Sequence, residues 1–352
     1  MTTFVQLHLL TSYPPACLNR DDLNRPKTAV MGGVPRLRVS SQSLKRAWRT
    51  SGQFESAMKG HIGTRTKLMG LHVYERLTKA GIKEKDAKEW SQSVAEKFGA
   101  PKAKKDGKPL NDLEIEQLAH FSPEEEAGID ALTDNLAQDK RKPTDDELNL
   151  LRKDHTAADI ALFGRMLASS PGYNMEAACQ VAHAITVHRA AVEDDYFTAV
   201  DDLNTREVDA GSAHIGEQGF GAGLFYLYLC IDRDLLKENL GGDAVLAGKA
   251  IKALIDAAAT VAPTGKQNSF ASRASAFYVL AEKGSRQPRS LSLSFMKPVR
   301  EGDMLADAVS ALEGMRANMD KVYNGGQFLE SEHINALTGK GDFQKLCDFA
   351  AN

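Results

Sequence analysis

The chain has 352 residues, 42% hydrophobic and 26% charged, enough for two globular units or for one unit carrying large insertions. Its 44 basic and 47 acidic residues leave a net charge of −3, which excludes a globally basic nucleic-acid binder; such a case must rest on local asymmetry. Cys17, Cys179, Cys230 and Cys347 lie far apart with no C-x-x-C pair, against a disulfide framework or a zinc site, and no apolar run approaches the roughly 18 residues of a membrane span. Residues 4–10 are too short and polar for the core of an export signal, so the expectation is a soluble, cytoplasmic protein with no cofactor.

Residues 4–10 alternate as a first strand, with Phe4, Gln6, His8 and Leu10 on one face and Val5, Leu7 and Leu9 on the other; His8 reads as a packing or hydrogen-bonding residue. A loop begins at Tyr13-Pro14-Pro15 and runs to Gly32-Gly33, where the chain can turn freely. Leu37 and Val39 alternate with Arg36 and Arg38 in a second short strand. Ser40 or Ser41 then caps a helix whose first turn holds Gln42 and Ser43. On that helix Leu44 and Trp48 form an apolar stripe, and Lys45 and Arg49, also four apart, place two cations on a neighbouring face. The first fifty residues carry eight basic side chains (Arg20, Arg25, Lys27, Arg36, Arg38, Lys45, Arg46, Arg49) against Asp21 and Asp22. A capped helix start with a basic flank suits a phosphate, because unpaired N–H groups and the positive dipole end face it. The same pattern also fits an ordinary strand–cap–helix unit with a solvated basic face.

From about residue 64 the pattern turns helical (Leu68, Leu71, Val73, Tyr74, Leu77), with Gly81 as a stop and a second helix over 87–98. The lysine, glycine and proline run at 100–109 reads as an exposed loop, with contact to a passing nucleic-acid backbone as the alternative. Helices are expected at 113–120 and at 123–137, the latter opening on Glu124-Glu125-Glu126, and Thr144-Asp145-Asp146-Glu147 has the spacing of a capping box that starts another. Lys140, Arg141 and Lys142, with Arg152 and Lys153 beyond, make a second basic cluster. A short apolar run at 159–166 ends in Gly-Arg-Met. Residues 175–186 look helical, with Ala178, Val181, Ala182 and Ile185 on one side; His183 and His188 have no third ligand nearby and read as structural.

Residues 194–202 and 211–216 read as two arms of an extended hairpin with Tyr196 and Phe197 near its base. Gly219, Gly221 and Gly223 precede an aromatic strand at 224–231, not a helix, so they are not a dinucleotide loop. Helices are expected at 243–261, 304–319 and 342–351, and one or two strands within 270–282.

No nucleophile elbow, P-loop, H-E-x-x-H or calcium-loop motif occurs. Asp21-Asp22 is the most suggestive acidic pair. It could hold Mg²⁺ for a nuclease, or form ion pairs with Arg20 and Arg25 that order the loop.

Several blocks carry a resemblance: C-L-N-R-D-D at 17–22, R-V-S-S-Q-S-L-K-R-A at 38–47, G-R-M at 164–166, A-H-A-I-T at 182–186, F-T-A-V-D-D at 197–202, G-S-A-H at 211–214 and N-L-G-G at 239–242. In this order they resemble the CasC backbone subunit of the type I-E CRISPR surveillance complex, Cascade. The likeness runs to about Pro263 and fades over 60–150 and the last seventy or so residues. It implies an α+β, hand-shaped protein: an RRM-like (ferredoxin-like) palm at 1–58 and 223–352, helical fingers at 59–187 and a β-hairpin thumb at 188–222. It also implies a non-catalytic scaffold that polymerises along one CRISPR RNA and displaces a base at regular intervals. The rest of the guide stays free to pair with target DNA in antiviral defence. The partners implied are CRISPR RNA, target DNA, further copies of the chain, and the large, small and guide-end-capping subunits. Carried over by position, Arg20, Lys27, Ser40, Gln42, Lys45, Arg46 and Arg49 are expected to meet the guide backbone. Arg165 and Met166 are expected at the displaced base, Met166 as the wedge, with Phe197 and Thr198 supporting the kink. Lys140, Arg141, Lys142, Arg152 and Lys153 are expected near duplex DNA. The alternative is a metal-dependent RNA endonuclease of the type III kind using Asp21 or Asp22.

Overall fold

A computed structural model describes residues 2–104, 109–199, 214–300, 302–326 and 329–352. Lys105, Asp106, Gly107 and Lys108 of the expected loop, and Val200, Asp201, Asp202, Gly211, Ser212 and Ala213 of the expected hairpin arms, lie outside the described residues. The fold is α+β. The described strands are β1 (Phe4–Ala16), β2 (Thr28–Met31), β3 (Val34–Val39), β4 (Thr64–Thr66), β5 (Ala119–Phe121), β6 (Cys179–Val181), β7 (Ala184–Thr186), β8 (Glu193–Ala199), β9 (His214–Asp232), β10 (Tyr278–Gly284) and β11 (Glu330–Asn335). The α-helices are α1 (Ser41–Arg49), α2 (Gly52–Ala57), α3 (Met69–Lys79), α4 (Glu84–Ala95), α5 (Pro123–Asp139), α6 (Ala158–Phe163), α7 (Arg233–Asn239), α8 (Ala244–Thr260), α9 (Gln267–Phe270), α10 (Met304–Tyr323) and α11 (Phe343–Ala351). No described helix is long and apolar enough to cross a membrane.

The chain divides into two compact units, one of Met1–Phe54, Val181–Cys230 and Ile251–Asn352, the other of Glu55–Gln180 and Ile231–Ala250. The first is built on a sheet of order β11-β10-β1-β9-β7-β3-β2, with β8 paired to the outer part of β9. The β1–β10 register runs antiparallel from Phe4↔Gly284 to Leu10↔Tyr278. Val5, Leu7 and Leu9 on one face of β1 and Gln6, His8 and Leu10 on the other are all buried, so this strand lies inside the unit. Leu10, Tyr226, Tyr278, Leu280 and Phe295 pack with Ala308 and Leu312 of α10 in one core cluster. Buried polar side chains of the same sheet pair with one another. His8 Nδ1 lies 2.8 Å from the Tyr226 hydroxyl and Nε2 lies 3.2 Å from Glu282, whose carboxylate also accepts from Arg289 and Arg316. β2, which sequence reasoning left inside a loop, forms because Gly32 and Gly33 both take positive φ (63° and 77°) and close a two-residue hairpin turn onto β3.

The second unit packs α3, α4 and α5 around Val73, Leu77, Trp90, Val94, Phe98, Ile129 and Leu136, beside the two-stranded β4–β5 ladder. α5 begins with the full capping box of Ser122 and Glu125. Three expected helices are not formed. Residues 113–120 contain only the end of a 3₁₀ turn and then enter β5. Thr144 and Glu147 do exchange capping bonds, but Leu148, Leu150 and Leu151 then turn into the core as irregular chain, where Arg152 N–H donates to Glu125. Within 175–186 the expected helix is replaced by β6 and β7. β7 is wedged between β3 and β9, with Ile185 opposite both Arg38 and Tyr226, so two ladders outweigh a helical preference.

Candidate RNA interface

In the first unit, Asn19 joins the first loop to the start of α1. Its side-chain oxygen accepts from Ser40 N–H at 2.9 Å, its carbonyl accepts from Lys27 N–H at 2.8 Å, and Lys27's own carbonyl accepts from Arg38 N–H at 2.8 Å. The loop thereby carries exposed Arg20 and half-buried Lys27 beside the cap of the helix. Ser40 is 6% exposed and its hydroxyl accepts from Ser43 N–H, so the serine acts here as the N-cap. Leu44, Ala47 and Trp48 bury the inner face of α1, which turns Gln42 and Arg46 fully outward and leaves Lys45 and Arg49 partly exposed, one turn apart. Burial first, and then the neighbouring Arg38 and Lys27 cations, lower the pKa of His183, whose Nδ1 lies 2.8 Å from Arg38 Nη1.

Three charges in this region differ from expectation. Arg36 alternates with Leu37 as the strand period requires, yet it is fully buried, donating to the carbonyls of Met31, Thr186 and Phe295, so it adds nothing to the outer surface. The Asp21 carboxylate is engaged by the N–H groups of Leu23 and Arg25, both at 2.9 Å, and orders the loop as a turn and not through ion pairs. Arg25 instead reaches Asp194 of β8 at 2.9 Å.

The hairpin arms are formed as expected at their base, with Phe197 opposite Gly216 and Thr198 opposite Ile215. The Phe197 ring lies over Gly216 so closely that a Cβ there would stand 2.4 Å from the ring tip, and the side chain is still 42% exposed. Glycine at 216 thus lets the aromatic ring lie close on the strand. Thr198 is also exposed. Around the base of this hairpin a cleft of about 390 Å³ is lined by Arg20, Leu23, Arg25, Phe197, Gln218 and Lys266, among others. Lys266 was missed by sequence reasoning because it lies where the family likeness has faded. Asn19, inside the quoted C-L-N-R-D-D block, was missed because its role is to hold other residues in place.

In the second unit, the Gly-Arg-Met block has a clear local logic. Gly164 ends α6 with φ 81°, and Arg165 and Met175 exchange both backbone bonds, at 3.0 and 2.9 Å. The expected RNA contact by Arg165 is not available in this geometry: its side chain is 1% exposed, paired with Glu125 at 2.7 Å and bonded to the carbonyls of Tyr173, Arg152 and His120. Arg165 is the anchor, and Met166, 72% exposed, is what the turn presents, at the edge of a small hollow shared with Phe98 and Leu118. Of the second basic cluster, Lys140, Lys142, Arg152 and Lys153 are exposed, whereas Arg141 is held by Glu147 at 2.7 and 2.8 Å and by Asp139 at 3.1 Å. That pair raises the Arg141 pKa and, with the Thr144 donors, lowers that of Glu147 to about 2. Among the described residues no group of three or more His, Cys, Asp or Glu is placed to hold a metal ion.

Two solved structures resemble this one over 99% of both chains. A chain from a "CRISPR RNA-guided surveillance complex, pre-nicking" superposes with a TM-score of 0.84 at 29% identity. One from a "CRISPR RNA-guided surveillance complex" superposes with a TM-score of 0.71 at 24% identity and shows the shared fold. No curated protein sequence matches. The family model described as CT1975-like protein matches residues 5–347, and the chain therefore belongs to the CT1975-like protein family, the Cascade backbone type that its sequence blocks resemble.

Proposed function

We propose that the chain is a non-catalytic backbone subunit that binds CRISPR RNA through its phosphates, assembles with further copies along the guide, and leaves the guide's bases free to pair with target DNA. The observation that carries this reading is the tethering, through Asn19, of the Arg20–Lys27 loop to the capped start of α1, whose outer side bears Gln42, Lys45, Arg46 and Arg49. Cations on flexible stems around a helix start bind phosphate without reading sequence, as a protein that accepts every guide requires. The 29% identical chain of an RNA-guided surveillance complex supports the same ligand.

In this reading the first unit is an RRM-like palm, β8 with the outer part of β9 is the thumb, and the helical unit is the fingers. Met166 is the apolar wedge and Phe197 and Thr198 support the kinked strand. Unstacking one base step costs about a few kcal/mol, offset by backbone contacts on either side. Ser40 contributes through the helix start that it caps, and Arg165 through holding the Met166 turn. Lys140, Lys142, Arg152 and Lys153 offer themselves to the target duplex, with Arg141 released to join them only if its pair with Glu147 opens. The large, small and guide-end-capping subunits complete the assembly, in the cytoplasm.

Purification of the chain with its partner subunits, followed by sequencing of the bound RNA, tests this. The reading predicts RNAs of one defined length with unrelated guide sequences. RNA of random length, or no RNA, would contradict it.

A further inference from the structure

The chain between α5 and α6 comes to the surface at Arg152, Lys153 and Asp154, with anchors on both sides. Leu150 and Leu151 are buried before them and His155 after them, and the N–H and hydroxyl of Thr156 donate to Glu124 at 2.9 and 2.7 Å. No described helix or strand runs through 140–157, so no ladder or helical turn fixes where the two cations stand.

The buried Glu125–Arg165 pair fixes them instead. One Glu125 oxygen accepts from the Arg152 N–H at 2.8 Å, the other takes the Arg165 guanidinium at 2.7 Å, and that guanidinium donates in turn to the Arg152 carbonyl at 2.8 Å. Both backbone groups of Arg152 are thus held by the two members of one ion pair. The same guanidinium donates to the Tyr173 carbonyl at 3.1 and 3.3 Å, and Arg165 exchanges backbone bonds with Met175, which sets the Met166 turn. The Glu125 and Arg165 side chains are 0% and 1% exposed, so the pair acts on a ligand only through what it holds.

Stability alone does not call for such a pair, because a well-packed apolar pair of the same volume is about as good. An apolar pair, however, offers nothing to the Arg152 backbone, whereas the planar fork of an arginine serves a carboxylate and several carbonyls at fixed angles. A loop ordered before its ligand arrives loses little conformational freedom on binding, and affinity is gained there.

We propose that Glu125 and Arg165 are positioning residues for duplex DNA: they preset Arg152 and Lys153 on the surface, in fixed register with Met166, so that phosphates meet the two cations without prior ordering of the loop. This rests on the reading above that gives Arg152 and Lys153 to the target duplex, and adds the buried pair that places them.

The test measures binding of the full chain to a short fluorescent duplex DNA across a salt series, by anisotropy. Arg152→Ala/Lys153→Ala is expected to lower the slope of log K against log salt by roughly 1.8, at about 0.9 for each phosphate contact. Arg165→Lys, which keeps a cation beside Glu125 but loses the fork, is expected to lower it by roughly 0.9 or more, and to add nothing to Arg152→Ala/Lys153→Ala. Met166→Ala is expected to keep the wild-type slope. Hydrogen exchange followed by mass spectrometry is expected to quicken in Arg165→Lys at 150–157 and at 165–175 together, with α3 and α4 exchanging as in the wild type. Should circular dichroism show that Arg165→Lys does not fold, Glu125→Gln carries the same measurements. A wild-type slope in Arg165→Lys, a further fall when it is added to Arg152→Ala/Lys153→Ala, or quickened exchange at one of the two segments alone would overturn the positioning role. The duplex reading fails separately, if Arg152→Ala/Lys153→Ala itself keeps the wild-type slope; exchange at the two segments then decides whether the pair presets them.

Discussion

Replacing Arg165 by methionine separates the anchor of the Gly-Arg-Met turn from the residue it presents. The substitution removes the guanidinium that meets the Glu125 carboxylate at 2.7 Å and three backbone carbonyls, inside a region where both partners are shielded from water. Breaking a buried ion pair from one side costs about 3–5 kcal/mol, because the remaining charge is left uncompensated. Glu125 keeps the N–H donors of Ser122 and Arg152, at 2.9 and 2.8 Å, which places the expected cost near about 3 kcal/mol. For a unit of this size each ~1 kcal/mol moves a melting midpoint by roughly 2–4 °C, so the transition of the helical unit should fall by roughly 6–12 °C. Calorimetry on the RNA-free chain measures it. Glu125→Gln combined with Arg165→Met should recover part of the loss, since neither partner of the pair is then charged, and Met166→Ala should leave the stability within about 0.5 kcal/mol of wild type. An Arg165→Met chain as stable as the wild type would refute the reasoning, and with it the view that this arginine acts by holding the turn.

Further outcomes can be checked more simply. Burial first, and then the nearby Arg289 and Arg316 cations, lower the pKa of His8 from 6.5 despite its bond to Glu282. Glu282 is itself lowered from 4.5 to about 2, because donors from His8 and Arg289 outweigh its burial. In both cases the unfolded chain binds protons first. Stability should thus decline as pH falls below about 6.5, and again between about 4.5 and about 2. Urea titrations at pH 7 and 5.5 should show the first step, and His8→Gln should shrink it, leaving the part carried by His155 and His183, whose pKa values are lowered as well. Gly216→Val should displace the Phe197 ring and weaken RNA binding about as much as Phe197→Ala, in the range of about 1–3 kcal/mol for a lost stacking platform, as read by fluorescence anisotropy. Asp21→Asn, which keeps the oxygen that accepts from Leu23 and Arg25, should bind RNA as the wild type, whereas Asp21→Ala should bind more weakly. Mg²⁺-dependent RNA cleavage lost in Asp21→Asn would instead favour the nuclease alternative.

Local signals carried much of this architecture. The Ser40 cap with the Leu44/Trp48 stripe, the apolar periodicity over α8 and α10, and the alternation in β1 each depend on neighbours within a few residues, so they can be read directly. Where the sequence misled, tertiary pairing decided. Ala178, Val181, Ala182 and Ile185 have helical spacing, but three residues around Ile185 complete the sheet between β3 and β9. Thr144 and Glu147 form a capping box, yet the leucines that follow are drawn into the core of the helical unit. Arg36 and Arg165 look from the sequence like exposed cations, and nothing local reveals that backbone carbonyls, and for Arg165 a buried carboxylate, await them inside. Lys266 escaped for the opposite reason, since its place beside Arg20 is created by contact between segments nearly 250 positions apart.

Salt dependence of RNA binding by the wild type and by Lys45→Ala/Arg49→Ala measures the number of phosphates gripped near α1. With each phosphate contact on a single strand contributing a slope of about 0.7 in log K against log salt, the double variant should show a slope smaller by roughly 1.4, equally for RNAs of unrelated sequence. An unchanged slope, or a loss confined to particular sequences, would contradict a phosphate-reading backbone subunit.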